Sequence, residues 1–147
     1  MGYALFANRK LVLDSQLNSL QLQQQQRSNT QYCLATDQTG LQQQLSSLQT
    51  AQSTELADLY GKLAQTTDTN QRASINSAID QKKAEFQTEI DAINRAIYEV
   101  SIKENAVEME VKHLDTQVTA MQKQLEAVEQ AEGQGIDRAT PHYSGLG

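Results

Sequence analysis

A heptad pattern between Gln71 and Ala131 constrains the fold more than any other feature of this sequence. The a positions include Ile90, Ile97, Val111, Val118 and Leu125. Every d position is apolar, and these residues are Ile79, Phe86, Ile93, Val100, Val107, Leu114, Met121 and Val128. Alternating spacings of three and four residues place apolar side chains along one narrow stripe of an α-helix. The pattern predicts a long helix that packs against a partner helix.

The first half of the chain carries a weaker form of the same heptad. Its apolar seam positions are Leu13, Leu20, Leu34, Leu41 and Leu48 at d, with Leu17 and Leu45 at a. The other a positions are Gln, and Arg27 interrupts the d row. Because polar residues at a reduce stability and set register, we expect a half-buried first helix. Lys83 and Glu104 stand at a positions of the second half. We expect them either to reach the edge of the seam or to meet polar partners, for which the Gln residues of the first half are candidates.

Polar, turn-favouring residues separate the two halves. The predicted elements are a first long helix at 1–65, a turn at 66–70, a second heptad helix at 71–132 and a Gly- and Pro-containing tail at 133–147. Residues 36–40 are expected to continue the first helix, with a bend or a break as the alternative. After Leu48 the heptad needs four extra residues to reach Leu56, and such a stutter unwinds a supercoil without ending the helix.

Two helical segments of similar length with a short turn between them fold most simply back on each other. The sequence therefore predicts an all-α fold, a long antiparallel two-helix coiled-coil hairpin. We expect this hairpin to be completed by self-association into a bundle or filament.

Composition excludes several functional classes. The net charge is −6, so the chain repels phosphate groups and no nucleic acid partner is expected. The single cysteine, Cys33, cannot form an internal disulfide, and no Cys/His cluster has metal-ligand spacing. No cofactor, metal site or catalytic constellation is predicted, and an enzyme is not expected. No apolar run reaches the ~20 residues of a transmembrane helix.

Apolar residues outside the seam are the candidate subunit contacts: Tyr3, Leu5, Phe6, Leu11, Val12, Leu22, Tyr143 and Leu146. Contact with a membrane surface is an alternative for the N-terminal group. The opening residues lack the features of a cleaved secretory signal. Localisation is therefore left between the cytoplasm and export without a cleaved leader.

The whole chain resembles the helical-hairpin coiled-coil proteins of flagellar and type III secretion systems, their axial or filament-type subunits. The likeness rests on a Gln-, Ser- and Thr-rich composition, on few Trp, Cys and Pro residues, and on two matched amphipathic helices around 66–70. It implies helices that pair and stack into a filament, with residues 3–13 and 136–147 in subunit contacts. The chain shows no globular insert and no segment that aligns with a needle or flagellin sequence.

Two functions follow from these observations. The leading interpretation is a non-enzymatic, self-assembling structural protein, a leaderless secreted filament or appendage subunit whose partner is itself. The alternative is a cytoplasmic coiled-coil adaptor, stalk or chaperone that binds another helical protein through its Gln-rich first helix.

Overall fold

The computed structural model describes the backbone of residues 2–146 and the side chains of residues 4–133. It contains helix α1, Gly2–Gln65, and helix α2, Thr69–Leu146. The two helices pack against each other, and residues 2–146 contain no strand. The predicted all-α two-helix hairpin is confirmed.

The turn between the helices contains only Thr66, Thr67 and Asp68. The Asp68 carboxylate accepts a hydrogen bond from the backbone N–H of Gln71 at 3.2 Å. The main-chain oxygen of Asp68 accepts one from the backbone N–H of Arg72 at 2.9 Å. Asp68 is thus the N-cap of α2, and a side-chain acceptor at this position satisfies an N–H that lacks a helical partner. Because the residue after the cap is already helical, α2 begins at Thr69, two residues before the predicted start.

Helix α1 runs without interruption through residues 36–40. The hydroxyl of Thr39 donates a hydrogen bond to the main-chain oxygen of Ala35 at 3.0 Å, and that of Thr36 donates to Tyr32 at 2.9 Å. Both hydroxyls therefore bond back into the preceding turn instead of capping a new helix. The continuous helix is observed here, and the alternative break is absent from α1.

Helix α2 extends to Leu146, whereas the sequence predicted its end near Glu132 and a tail at 133–147. The prediction was based on Gly133 and the residues after it. Glycine reduces helix propensity by about 1 kcal/mol but keeps its backbone N–H, so it does not by itself end a helix. A glycine C-cap also requires a positive φ, and Gly133 does not have one.

The chain divides into two compact units, each built from a segment of α1 and a segment of α2. The terminal unit contains Met1–Gln31 and Ala106–Gly147. The turn unit contains Tyr32–Asn105. The buried hydrophobic side chains of the terminal unit are Leu13, Val107, Leu114, Val118 and Val128, and those of the turn unit are Leu34, Ile79 and Phe86.

All other predicted seam residues are half-buried, and none is exposed. They are Leu17, Leu20, Leu41, Leu45, Leu48, Ile90, Ile93, Ile97, Val100, Val111, Met121 and Leu125. The inward positions of α1 include Leu48, Gln52 and Leu56. Each lies four residues after the one before it, and two successive spacings of four are the expected stutter. Beyond the predicted seam, Leu59, Leu63 and Ile75 are also half-buried. Leu59 lies four residues before Leu63, and Ile75 lies four residues before Ile79, so the inward stripe continues toward the turn in both helices.

Candidate interaction surfaces

Polar contacts link the two helices within the terminal unit. The amide of Gln24 donates a hydrogen bond to Asp115 Oδ1 at 2.7 Å. Arg27 Nε lies 2.7 Å from Glu110, and Lys10 lies 3.5 Å from Glu129. Residue numbers fall along α2 as they rise along α1, so the helices are antiparallel here. The ion-paired side chains are 42–50% exposed, so each ion pair contributes about 0.2–1 kcal/mol or less.

The turn unit has a different set of cross-helix contacts. Lys82 forms an ion pair with Glu55 at 3.5 Å, and Lys83 Nζ lies 5.6 Å from the ring centroid of Tyr60. A cation at this distance from an aromatic ring is attracted by its quadrupole. Of the two alternatives for Lys83, the structure shows the first, since its long side chain reaches the exposed edge of the helix pair.

Tyr60 also affects the titration of this lysine. Hydrogen bonding with the Tyr60 hydroxyl and electrostatic attraction to Tyr60 both raise the pKa of Lys83 above its ordinary value of 10.5. The sequence contained no signal for this pair, since Tyr60 lies after the stutter and outside the first heptad frame.

Two side-chain oxygens are buried without a hydrogen-bond partner in the turn unit. They are Oε1 of Gln38 and Oε1 of Glu104, both on half-buried residues at a positions. Glu104 was expected either to reach the edge of the seam or to meet a polar group of α1, but its Oε1 atom is buried and has no donor among the described side chains. A buried acceptor without a donor costs about 1–3 kcal/mol. These atoms are therefore a source of instability in the seam.

The ends of the two helices are joined by Arg72. Its Nη1 atom donates hydrogen bonds to the main-chain oxygens of Leu63 at 2.8 Å and Thr66 at 2.9 Å. The last carbonyls of a helix have no partner within it, so the guanidinium completes the C-terminus of α1. Sequence reasoning did not assign this role to Arg72. The available signal was a basic residue directly after a short turn.

The side of α1 opposite the seam is uncharged in the terminal unit. We call this side the outer α1 face and define it as the b, c and f heptad positions of residues 4–29. Its members are Ala4, Leu5, Asn8, Leu11, Val12, Ser15, Asn18, Ser19, Leu22, Gln25, Gln26 and Asn29, and all are exposed. It contains four predicted subunit contacts, Leu5, Leu11, Val12 and Leu22.

The remaining predicted contact residues lie elsewhere. Phe6 is half-buried and stands one heptad before Leu13, on the seam side of α1. Phe6 was predicted to be a subunit contact, but it occupies a d position of the heptad. The predicted seam began at Leu13, one repeat later, and so did not include Phe6. The side chains of Tyr3, Tyr143 and Leu146 lie outside those that the structure describes. Cys33 is exposed.

Open grooves follow the seam in each unit. One in the turn unit is lined by residues that include Gly40, Gln44, Leu48 and Ile93. One in the terminal unit is lined by residues that include Leu20 and Met121. Over the part of the chain that is described, no three His, Cys, Asp or Glu side chains are grouped to hold a metal ion. No helix there is sufficiently long and apolar to cross a membrane.

No family model matches this chain. No curated protein and no solved structure matches it either.

Proposed function

We propose that this protein is a non-enzymatic structural protein that assembles from copies of its own helical hairpin. The observation that carries the proposal is the division of its apolar side chains between two environments. Eight hydrophobic residues are buried among those described, and all of them lie at seam positions. Nine large hydrophobic residues are exposed between residues 4 and 133: Leu5, Leu11, Val12, Leu22, Tyr32, Tyr60, Tyr98, Ile102 and Met109.

Two helices share a single seam, so apolar residues outside it face either solvent or another molecule. Single exposed hydrophobic residues are normal on protein surfaces. Here four of them belong to one helix face within one unit, the outer α1 face. Such a group supports association, because its burial by another chain removes apolar surface from water.

The finer form of the proposal is a filament or appendage subunit. Its support is the resemblance of composition and hairpin organisation to axial proteins of flagellar and type III secretion systems. In this form the contacts between copies are open and head-to-tail, and they generate a polymer when the rotation between neighbours does not close a ring.

Sedimentation velocity of the full chain over a hundredfold range of concentration tests this function. Self-assembly predicts that the mean mass rises with concentration, and a ladder of growing species favours the filament. A mass that stays at 16.3 kDa throughout would overturn the proposal and favour an adaptor that binds a different protein. A single larger species of fixed mass would keep self-assembly and exclude the open polymer.

A double substitution, Leu11→Ser with Leu22→Ser, tests the surface used. Both leucines are exposed, so the change should leave the helix content measured by circular dichroism largely intact. We expect the association constant to fall at least tenfold, since each buried leucine contributes about 1.5–3 kcal/mol. Met109→Ser, at an exposed residue of α2 in the same unit, is the control. Unchanged association in the double variant would exclude these residues from the contact.

A further inference from the structure

The outer α1 face lacks the charges that a solvent-facing helix surface normally carries. None of its twelve residues is charged, although all are exposed. The charged residues of α1 in the terminal unit, Arg9, Lys10, Asp14 and Arg27, all lie at other heptad positions. Lys10 and Arg27 pair with acidic residues of α2. The hairpin thus directs these two cations toward its own second helix and leaves the outer α1 face neutral.

The corresponding positions of α2 in the terminal unit follow the usual pattern. Lys112, Lys123 and Glu126 are exposed there and carry charge. Polar and charged residues on the face opposite the core are typical of a helix that remains in water. In the terminal unit, the absence of charge is therefore a property of the outer side of α1 and not of α2. It occurs in a chain with a net charge of −6.

We propose that the outer α1 face binds the same face of a second copy of this chain. This inference depends on the proposed self-assembly and identifies its surface and its partner. A two-fold contact of this kind closes as a dimer, so the filament form of the proposal needs a second contact surface between such dimers. In a two-fold symmetric contact, a patch meets its own copy, so any net charge on the patch meets like charge. The outer α1 face meets its own copy without such repulsion.

The side chains of the face are also chemically self-complementary. Asn8, Asn18, Gln25, Gln26 and Asn29 carry amides, and each amide is both a hydrogen-bond donor and an acceptor. An amide therefore bonds to an identical amide on the second copy. A carboxylate or an ammonium group does not, since the first only accepts and the second only donates at neutral pH.

Apolar side chains supply the buried surface of this contact. Leu5 and Leu11 are each 68% exposed, Leu22 is 56% exposed and Val12 is 48% exposed. Leu11 and Leu22 are eleven residues apart, which is about three helical turns and places them on one line along α1. Ser15 and Ser19 lie between them, and their small side chains allow a second helix to approach closely.

Charge exchange between copies tests the contact. One variant carries Asn18→Glu and Gln25→Glu, and the other carries Asn18→Lys and Gln25→Lys. We expect each variant alone to associate at least tenfold more weakly than the parent chain, because like charges meet. An equimolar mixture should recover association, because each glutamate then meets a lysine. Sedimentation velocity with one variant fluorescently labelled measures both effects.

The matched control carries Thr119→Glu and Gln130→Glu, which add the same charge at exposed outer positions of α2 in the same unit. It should associate like the parent. If the Asn18→Glu, Gln25→Glu variant also associates like the parent, the inference is overturned while self-assembly stands. If both charged variants are weakened and the mixture does not recover, the face meets a different surface, and the homotypic contact is excluded.

A parent chain that remains monomeric over the whole concentration range would overturn the proposed function itself. The two failures are therefore separable in one set of experiments. Circular dichroism of every variant confirms that helix content is retained, so a loss of association does not arise from unfolding.

Discussion

Arg72, in the first turn of α2, donates a 2.8 Å hydrogen bond from Nη1 to the main-chain oxygen of Leu63, near the end of α1. The same atom donates to the main-chain oxygen of Thr66 at 2.9 Å. Asp68, between them, caps the start of α2. Arg72 therefore completes the end of α1, and Asp68 completes the start of α2. Only three residues separate the two helices, and this arrangement closes the hairpin.

Replacing Arg72 by alanine should reduce the free energy of unfolding by about 1 kcal/mol. The substitution removes the donor that serves the last carbonyls of α1, and solvent exposure reduces the loss below the range of about 1.5–3 kcal/mol for charged hydrogen bonds. Urea denaturation followed by circular dichroism measures the change. Arg95→Ala, at an exposed residue within α2, is the control and should alter stability by less than about 0.5 kcal/mol. Equal effects of the two substitutions would contradict the capping role.

Val107→Asp should strongly destabilise the terminal unit. Val107 is 8% exposed and lies in the uninterrupted part of the d row, so the substitution buries a carboxylate without a partner. We expect a loss of at least about 3 kcal/mol, measured as a lower midpoint of thermal unfolding. Ala106→Asp, at the exposed neighbour, should have a much smaller effect. A Val107 variant that melts like the parent would show that this heptad register is not the packed one.

Glu104→Leu should increase stability. The Oε1 atom of Glu104 is buried without a donor, and an apolar side chain at this a position removes the cost of that unsatisfied group. The expected gain is about 1 kcal/mol in the free energy of unfolding, measured by urea denaturation at fixed protein concentration. Glu99→Leu is the control at an exposed position of the same helix and should give no comparable gain. A less stable Glu104 variant would indicate that the carboxylate has a favourable partner.

Tyr60→Phe should lower the pKa of Lys83 toward 10.5, since the hydroxyl is the first cause of its increase. The ring that lies 5.6 Å from Nζ is retained in this variant. A titration of the Lys83 side chain by nuclear magnetic resonance, in both proteins, measures the difference. An identical pKa in parent and variant would exclude the hydroxyl as the cause.

The sign of the associated pH effect follows from the direction of this shift. The pKa of Lys83 in the folded chain lies above its unfolded value, so its contribution to stability is fully present below pH 10.5. That contribution is lost as the pH rises through the folded pKa. Tyr60→Phe should therefore reduce the part of alkaline destabilisation that titrates with Lys83.

The fold was accessible from sequence because a heptad is a local, repeated signal. Ile79, Phe86, Val107 and Val128 recur at multiples of seven, and only an α-helix with one buried stripe places all of them inward. The turn was accessible for a similar reason, since Asp68 followed by Gln71 is a local capping signal. The end of α2 could not be predicted from the sequence, because the glycine after Glu132 is compatible with a continuing helix as well as with a helix end.

The sequence by itself determined the two helices and the residues of their shared seam, since periodicity selects one face of a helix before any partner is present. Only the tertiary structure decided which polar residues meet across that seam: Gln24 with Asp115, Arg27 with Glu110 and Lys83 with Tyr60. These pairs depend on the relative axial position of two helices and on side-chain rotamers. A shift of one helix by seven residues keeps the apolar stripes paired, so the heptad pattern alone does not select the axial position.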